Sequence, residues 1–438
     1  MINKTYFSLI FLSVLCLTHT VHTQVNTYSP YSRYGLGELV RAGFGPSNAL
    51  GGSATGLRIP NQINYLNPAS YTSQDTLSFL FDVGVQGINT EFVTTELSDE
   101  RFTFNMNHLA ISFPVTKWLY SSFGLMPYSN VGYDITENAP ISGSDKLANY
   151  RYEGTGGLNT FYFGNSVRLG NHVALGFNLA YLFGIIEYQS IGSILNSDST
   201  SMSGALNTSY LEELEIRDFL FNSGIQIFGT IAEKHRLVLG ATFEPENNIR
   251  VFHSFEHAKL NPISIIGSDG EKDTLSLVSE EVEQLSLPMN YSIGLSYHFD
   301  QKFLVTSEFS QRDWSKYSFL DRGDKLNKNT SVRFGFQYTP NAQTIRRSSL
   351  GSYIERTNFR VGGYFTDTYL QFDDIQIQDF GISFGLGLPF GNTKSKLHLT
   401  YQYGKKGTTN NNLIQENYGI FTVGVSLYDL WFYKPKFD

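Results

Sequence analysis

Large and small side chains alternate along much of this chain with a period of two residues. Between His172 and Gly184 the odd positions hold large apolar or aromatic residues, from Val173 to Phe183, and the even positions hold mostly Ala, Gly and Asn. Only a β-strand places alternate residues on opposite faces. A sheet with one large apolar face and one small or polar face is typical of a wall that turns its apolar side to lipid.

The same alternation recurs from residue 78 almost to the end of the chain. It predicts about fourteen strands, an even number within the range of outer-membrane barrels. Long polar links are predicted at 191–204, 260–283, 315–328 and 405–416. A soluble β-sandwich is the alternative, but the face opposite its large residues would carry more charge. The strands are expected near 78–90, 101–114, 118–133, 150–168, 172–190, 205–230, 235–257, 284–299, 302–314, 329–339, 356–367, 377–389, 395–404 and 417–428.

The composition of the chain supports a membrane β-barrel and argues against one class of binding partner. Aromatic residues make up 15% of the chain and 40 glycines accompany them, more than an ordinary soluble domain holds. Beyond the first residues no apolar run of about 18 residues occurs, which excludes helical membrane spans. The net charge of −8 argues against nucleic acid as a partner. We therefore predict an all-β fold, a transmembrane antiparallel outer-membrane β-barrel, integral to the outer membrane of a Gram-negative bacterium.

The first 23 residues form a separate unit. Lys4 is their only charge, and an apolar run from Tyr6 to Leu17 follows it, which predicts a secretory signal peptide over residues 1–23. Cys16, the only cysteine, lies in this unit, so a processed chain has neither a disulfide nor a thiol nucleophile. A lipoprotein signal at Cys16 is the alternative.

Residues 24–75 have neither helical nor strand periodicity. Their small residues between Gly45 and Gly56 permit close approach of backbones. A barrel of about fourteen strands has a lumen too wide for side chains alone to fill. We predict that residues 24–75 form an N-terminal plug and arm within the lumen, and that residues 76–438 form the barrel. A disordered periplasmic tail is the alternative.

A short motif in this segment carries a family resemblance. At Asn67, Pro68 and Ala69, preceded by the Gly/Ala-rich stretch from Ala49 to Ala54, the chain resembles the FadL/TodX-type outer-membrane transporter family, PorV-like relatives included. The resemblance implies a fourteen-stranded barrel, a plug motif at Asn67, Pro68, Ala69 and Ser70, and passive uptake of hydrophobic compounds. PorV-like subunits of type IX secretion share the barrel, so the fold alone does not determine transport.

Two functions follow as hypotheses. The first is a passive channel through which a hydrophobic small molecule passes when the plug moves. The second is a non-transporting structural subunit of a larger outer-membrane complex, such as type IX secretion or the barrel-insertion machinery. The aromatic arm from Ser29 to Gly37 motivates the second, with Tyr31, Arg33 and Tyr34 as candidate docking residues for a protein partner. Outer-membrane lipid is an expected contact in both.

Two motifs suggest catalysis, but their context argues against it. His253 to His257 fits an inverted zinc-protease spacing, and Gly381 to Gly385 fits a nucleophile elbow. Both motifs require a helix, whereas both stretches continue a strand pattern. Acidic pairs at 373–374 and 280–281 are expected to be solvated loop charge rather than calcium ligands. We predict no enzymatic activity, no cofactor and no metal site.

Overall fold

The computed structural model describes residues 26–41, 43–198, 200, 202, 207–260, 272–317, 326–341, 350–372, 374–390 and 393–430. The predicted signal peptide and Asp373 lie outside these residues. The described residues form fourteen barrel strands: β1 Ser78–Val93, β2 Ser98–Pro114, β3 Leu119–Asn130 with Tyr133–Pro140, β4 Leu147–Leu169, β5 Val173–Leu195, β6 Asn207–Ala232, β7 His235–Glu244 with Asn247–Leu260, β8 Lys272–Leu287 with Asn290–Phe299, β9 Phe303–Asp313, β10 Lys328–Tyr338, β11 Asn358–Phe372, β12 Ile375–Pro389, β13 Lys396–Lys406 and β14 Gln415–Leu430.

Three strands are interrupted but continuous in direction. Both pieces of β3 pair with β4, and both pieces of β7 pair with β6. The two pieces of β8 pair in turn with the two pieces of β7. All neighbours are antiparallel, and β14 pairs with β1 from Gln415 opposite Val93 to Leu430 opposite Ser78. The sheet is therefore a closed barrel, and the predicted fold class is confirmed.

Along each strand, successive side chains face the lipid and the lumen in turn, and this accounts for the alternation that predicted the strands. On β5, Phe177 and Leu179 are 42% and 43% exposed, whereas Asn178 and Ala180 are 0% and 2% exposed. The large residues therefore point outward and the small or polar ones inward, as expected for a membrane barrel. Leu182, the one large residue on the inward side between His172 and Gly184, is fully buried.

Two predicted links are wrong in part, and the first is 191–204, where β5 continues as far as Leu195. The stretch 260–283 was expected to be a loop, but β8 begins at Lys272, and its first residues pair with the end of β7, Lys272 opposite Leu260. A membrane-spanning strand needs only about 9–11 residues, so this part of the hairpin projects beyond the membrane. Its residues 273–282 are exposed on both faces, and no alternation marks them in the sequence.

The helices of the described residues are all short. They are Pro30–Arg33, Gly45–Asn48, Pro68–Ser73, Trp314–Lys316, Leu350–Arg356 and Asn410–Asn412. Within the described part of the chain, none is long and apolar enough to cross a membrane. Because the strand number is even, Ser78 and Leu430 lie at the same end of the barrel. We call it the periplasmic end, since most turns there are short, and the opposite end the extracellular end.

Candidate functional site in the lumen

The residues before β1 lie against the inward face of the barrel. We call residues 26–41 and 43–77 the luminal segment. Near the extracellular end Tyr31 Oη donates to the carbonyl of Ile414 at 2.5 Å. Near the periplasmic end Asn61 Nδ2 donates to the carbonyl of Lys394 at 3.0 Å. The segment therefore crosses the lumen from one end to the other.

A row of inward-facing glycines receives this segment, and we call the row the glycine belt. A Cβ built on any of them would lie under 3.0 Å from an atom of the luminal segment. The segment thus fits against the wall with no room for a side chain at these positions. The glycines lie on β5 to β8 and on β10 to β12: Gly176, Gly224, Gly240, Gly294, Gly335, Gly362 and Gly385.

On β9, between these strands, a carboxylate replaces the glycine. Glu308 Oε2 accepts hydrogen bonds from the backbone N–H groups of Ala54 and Thr55, both at 2.8 Å. Its other oxygen pairs with Arg333 at 2.7 Å. Glu308 is only 6% exposed. A buried carboxylate is stable here because it is both paired and hydrogen-bonded.

The predicted plug motif lies at the next contact with the wall. Asn67 is fully buried, and its Oδ1 accepts from the Ala69 N–H at 3.1 Å, which caps the helix Pro68–Ser73. Its Nδ2 donates to the Thr55 carbonyl at 2.7 Å, so one side chain joins two stretches of the luminal segment. Ser70 Oγ donates to the Asn64 carbonyl at 3.2 Å. A plug role for the motif stays a prediction.

Replacing Asn67 by alanine should destabilise the luminal segment measurably. The change removes a helix cap and leaves the buried carbonyl of Thr55 without this donor, each worth about 1–2 kcal/mol of the free energy of unfolding. Samples are incubated at rising temperatures before electrophoresis. The measurement is the incubation temperature at which the protein loses the gel mobility of the folded barrel. Asn61→Ala, whose one bond is exposed, is the control, and equal shifts in the two variants would contradict the assignment.

The aromatic arm lies inside the extracellular mouth. Tyr31 is 5% exposed, and its ring stacks on Phe372 with centroids 5.8 Å apart. Tyr34 is half-buried against the same ring, at 5.0 Å. Arg33 is exposed and lies 5.2 Å from the ring of Tyr152. Tyr31 therefore belongs to the packing of the lumen, and a docking role for the arm stays a prediction in which Arg33 is the member that solvent reaches.

Above the glycine belt, apolar side chains fill the extracellular half of the lumen. We call this group the upper cluster. Tyr31 and Leu36 enter it from the luminal segment, and Trp314, 1% exposed, enters it from the residues after β9. The remaining buried members come mainly from the inward faces of β3 to β8 and β11: Val131, Tyr133, Leu158, Leu182, Ile186, Tyr188, Leu214, Ile216, Ile249, Val251, Leu285, Leu287, Tyr369, Leu370 and Ile377.

Between the upper cluster and the glycine belt lies a cavity of about 330 Å³. Charged groups line it, including the pair of Arg41 with Asp379 at 2.5 Å. Burial alone would lower the pKa of Arg41, but the Asp379 carboxylate outweighs burial and raises that pKa well above its ordinary value. Lys406 pairs with Glu38 at 2.9 Å. Two ion pairs therefore form part of the lining of this cavity, beside aromatic and aliphatic side chains.

The barrel wall has one gap beside the luminal segment. β2 pairs with β3 only from Leu109 opposite Leu125 to Pro114 opposite Tyr120. Within residues 98–140, all of which the structure describes, no other pairing joins these strands. Ser129 and Asn130 of β3 pair instead with the short strand Glu38–Leu39 of the luminal segment. A second cavity, of about 100 Å³, lies between this short strand and β1, β2 and β14.

The two catalytic-looking motifs both lie on strands. His253 and His257 lie in β7, where their Nε2 atoms are 3.1 Å from Glu212 Oε1 and 3.0 Å from Thr208 Oγ1, respectively. Ser383 lies in the middle of β12, and its Oγ donates to the Ala49 carbonyl at 3.1 Å and so holds the luminal segment. No group of three or more potential metal ligands occurs among the described residues.

Comparison with known proteins gives a family and a fold. The family model of BamG matches residues 1–438. The chain belongs to the BamG family. Nothing matches it among the curated proteins. Among solved structures, this BamG-family chain is similar to the toluene transporter TodX of P. putida, with 11% identity over 90% of this chain and 100% of that chain and a TM-score of 0.57.

Two further channels have the same fold. A FadL homologue of Pseudomonas aeruginosa is 10% identical over 89% of this chain and 99% of that chain, with a TM-score of 0.57. The toluene transporter TbuX of Ralstonia pickettii is 11% identical over 88% of this chain and 98% of that chain, with a TM-score of 0.53. The BamG-family chain therefore has the FadL-type outer-membrane barrel fold, and the predicted resemblance is confirmed at that level.

Proposed function

We propose that this BamG-family protein is a non-transporting structural subunit of a larger complex in the outer membrane of a Gram-negative bacterium. The barrel-insertion machinery is the complex that we favour, because the family name agrees with that prediction. The luminal segment acts as a fixed plug. The protein is then a scaffold with no catalytic step, and its partners are outer-membrane lipid and other proteins of the complex.

The closely fitted lumen is the observation that carries this proposal. Seven wall glycines meet the luminal segment with no room for a Cβ, and Glu308 and Ser383 bond its backbone. Above them the upper cluster packs side chains of the arm against the wall. A hydrophobic solute would have to displace both layers and then cross a cavity lined by Arg41, Asp379 and Lys406. Desolvating charged and polar groups in this way is costly.

The extracellular extension of the barrel offers a surface for a partner. β6 is 26 residues long, whereas about 9–11 residues span a membrane. On the projecting part of β8, Leu277 and Val282 are 65% and 61% exposed. Large apolar side chains in water, outside the membrane, are typical of protein interaction sites.

The test is the native mass and composition of the protein from its own host, tagged in an extracellular loop and extracted in mild detergent. We expect a reproducible large complex that Leu277→Asp together with Val282→Asp disrupts, while the barrel stays folded. Ile194→Asp, an exposed apolar residue on β5, is the matched control. A single barrel that purifies with bound lipid would overturn the proposal.

A passive channel for hydrophobic compounds is the second candidate. The gap between β2 and β3 favours it, since the cavity beside this gap lies next to the short strand Glu38–Leu39, whose movement would open a path. The shared fold with the toluene transporters is consistent with this candidate. Its test is uptake of toluene and of a long-chain fatty acid by cells with and without the gene. If cells with and without the gene took up each compound at the same rate, this candidate would be excluded.

A further inference from the structure

Three arginines converge on one aromatic ring at the periplasmic end of the lumen. Arg58 of the luminal segment, Arg168 of β4 and Arg236 of β7 place their guanidinium carbons 3.8, 5.7 and 5.9 Å from the ring centroid of Phe228 on β6. We propose that these three guanidinium groups form a binding site for an oxyanion, a carboxylate or phosphate group that enters from the periplasm.

The first argument is the uncompensated charge. Among the described residues, no carboxylate lies within ion-pair distance of Arg58, Arg168 or Arg236, whereas Arg41 and Arg333 elsewhere in the lumen each pair with one. Three like charges around one ring repel one another, and buried charges in proteins are ordinarily paired. An anion between them would supply the missing charge.

The second argument is the state of Arg58. This side chain is 2% exposed, and its hydrogen bonds go to neutral acceptors: the Ala69 carbonyl at 3.2 Å, Gln226 Oε1 at 3.2 Å and Thr72 Oγ1 at 2.8 Å. Its Nε–H has no partner within the described residues. A buried unpaired donor on a cation is costly, and it points to a ligand that completes its hydrogen bonding.

Electrostatics agree with this geometry. Burial, followed by the charges of Arg236 and Arg168, lowers the pKa of Arg58 to about 9. The Arg58 guanidinium is still protonated at neutral pH. The site therefore carries this positive charge although burial and the neighbouring arginines disfavour it. A bound oxyanion offsets the repulsion from Arg168 and Arg236, and we expect it to favour the charged form of Arg58.

Access and chemistry favour a small oxyanion. Arg168 is exposed, and it lies beside the turn 170–172 that joins β4 to β5 at the periplasmic end. A guanidinium presents a planar fork of N–H donors that matches the oxygens of carboxylate and phosphate groups. The face of the Phe228 ring is already covered by Arg58, so the ligand is expected to meet the edges of the guanidinium groups rather than the ring.

The experiment uses the full-length folded protein in detergent and titrates it with inorganic phosphate and, separately, with acetate, followed by calorimetry. We expect saturable binding that Arg236→Gln weakens at least about tenfold, the loss of one charge-assisted contact. Arg217→Gln is the matched control: it also lies over a phenylalanine ring, Phe252 at 4.8 Å, but it pairs with Glu215 at 2.6 Å. This control should bind as the unchanged protein does.

The two probes distinguish the source of the ligand. Binding of phosphate alone assigns a phosphate group, and binding of acetate assigns a carboxylate as well. Folding is checked by gel mobility without heating, and Arg168→Gln, at an exposed position, replaces Arg236→Gln if that variant does not fold. Absence of saturable binding of both probes would overturn the site, as would equal weakening by Arg217→Gln. These outcomes do not depend on whether the protein belongs to the complex proposed above.

Discussion

Replacing Gly362 by valine is expected to push the luminal segment away from β11 and to open the lumen. A Cβ at this position would meet the Cα of Gly51 at 2.8 Å and would meet other backbone atoms of the segment still more closely. Backbone atoms cannot move aside as a flexible side chain can, and overpacking of this kind costs about 1–3 kcal/mol. We expect a lower melting temperature of the folded barrel, and entry of a large antibiotic that the outer membrane normally excludes.

Gly363→Val is the control for this prediction. Gly363 is the next residue on the same strand, but it faces outward, and a Cβ there meets its nearest atom, the Gly381 carbonyl oxygen, at 3.6 Å. Both variants place a β-branched residue in β11, so only the contact with the luminal segment differs between them. If the two variants had the same melting temperature and admitted the antibiotic to the same extent, the glycine belt would not be what holds the luminal segment.

Replacing Glu308 by alanine is expected to have the second large effect. The change leaves two buried backbone N–H groups, of Ala54 and Thr55, without their acceptor and Arg333 without its carboxylate. Breaking a buried pair costs about 3–5 kcal/mol, and we expect the lower end because Arg333 keeps partial access to water. Unfolding in denaturant, followed by tryptophan fluorescence, measures the loss.

The matched control for Glu308 is Glu215→Ala. Glu215 also pairs with an arginine, Arg217, but both groups are well exposed, with side chains 32% and 49% accessible. Exposed pairs contribute about 0–1 kcal/mol, so this variant should unfold almost as the unchanged protein does. A loss at Glu308 no larger than the loss at Glu215 would show that the luminal segment is not anchored through β9.

The strands were predictable because lipid and lumen impose opposite demands on neighbouring residues. The stretch predicted at 78–90 became Ser78–Val93, and that predicted at 377–389 became Ile375–Pro389. The start of β8 was missed because its residues 273–282 face water on both sides, which removes the alternation. The same physics thus explains the success within the membrane and the failure beyond it.

The contents of the lumen were predictable in kind but not in detail. The lack of periodicity before residue 76 predicted a segment within the lumen of the barrel. The small residues between Gly45 and Gly56 indicated close approach of backbones. Which wall glycine meets which residue could not be predicted, because Gly51 and Gly362 are more than 300 positions apart. The arginines around Phe228 come from three separate elements, so no spacing in the sequence indicated them.

The tight fit of the luminal segment also constrains the order in which the protein is assembled. A chain that touches the wall at seven glycines, with less than a side chain of clearance, cannot be threaded through a finished cylinder. We therefore expect the wall to form around the segment before β14 pairs with β1. The luminal segment, which precedes the barrel in the chain, would then occupy its position before the barrel closes.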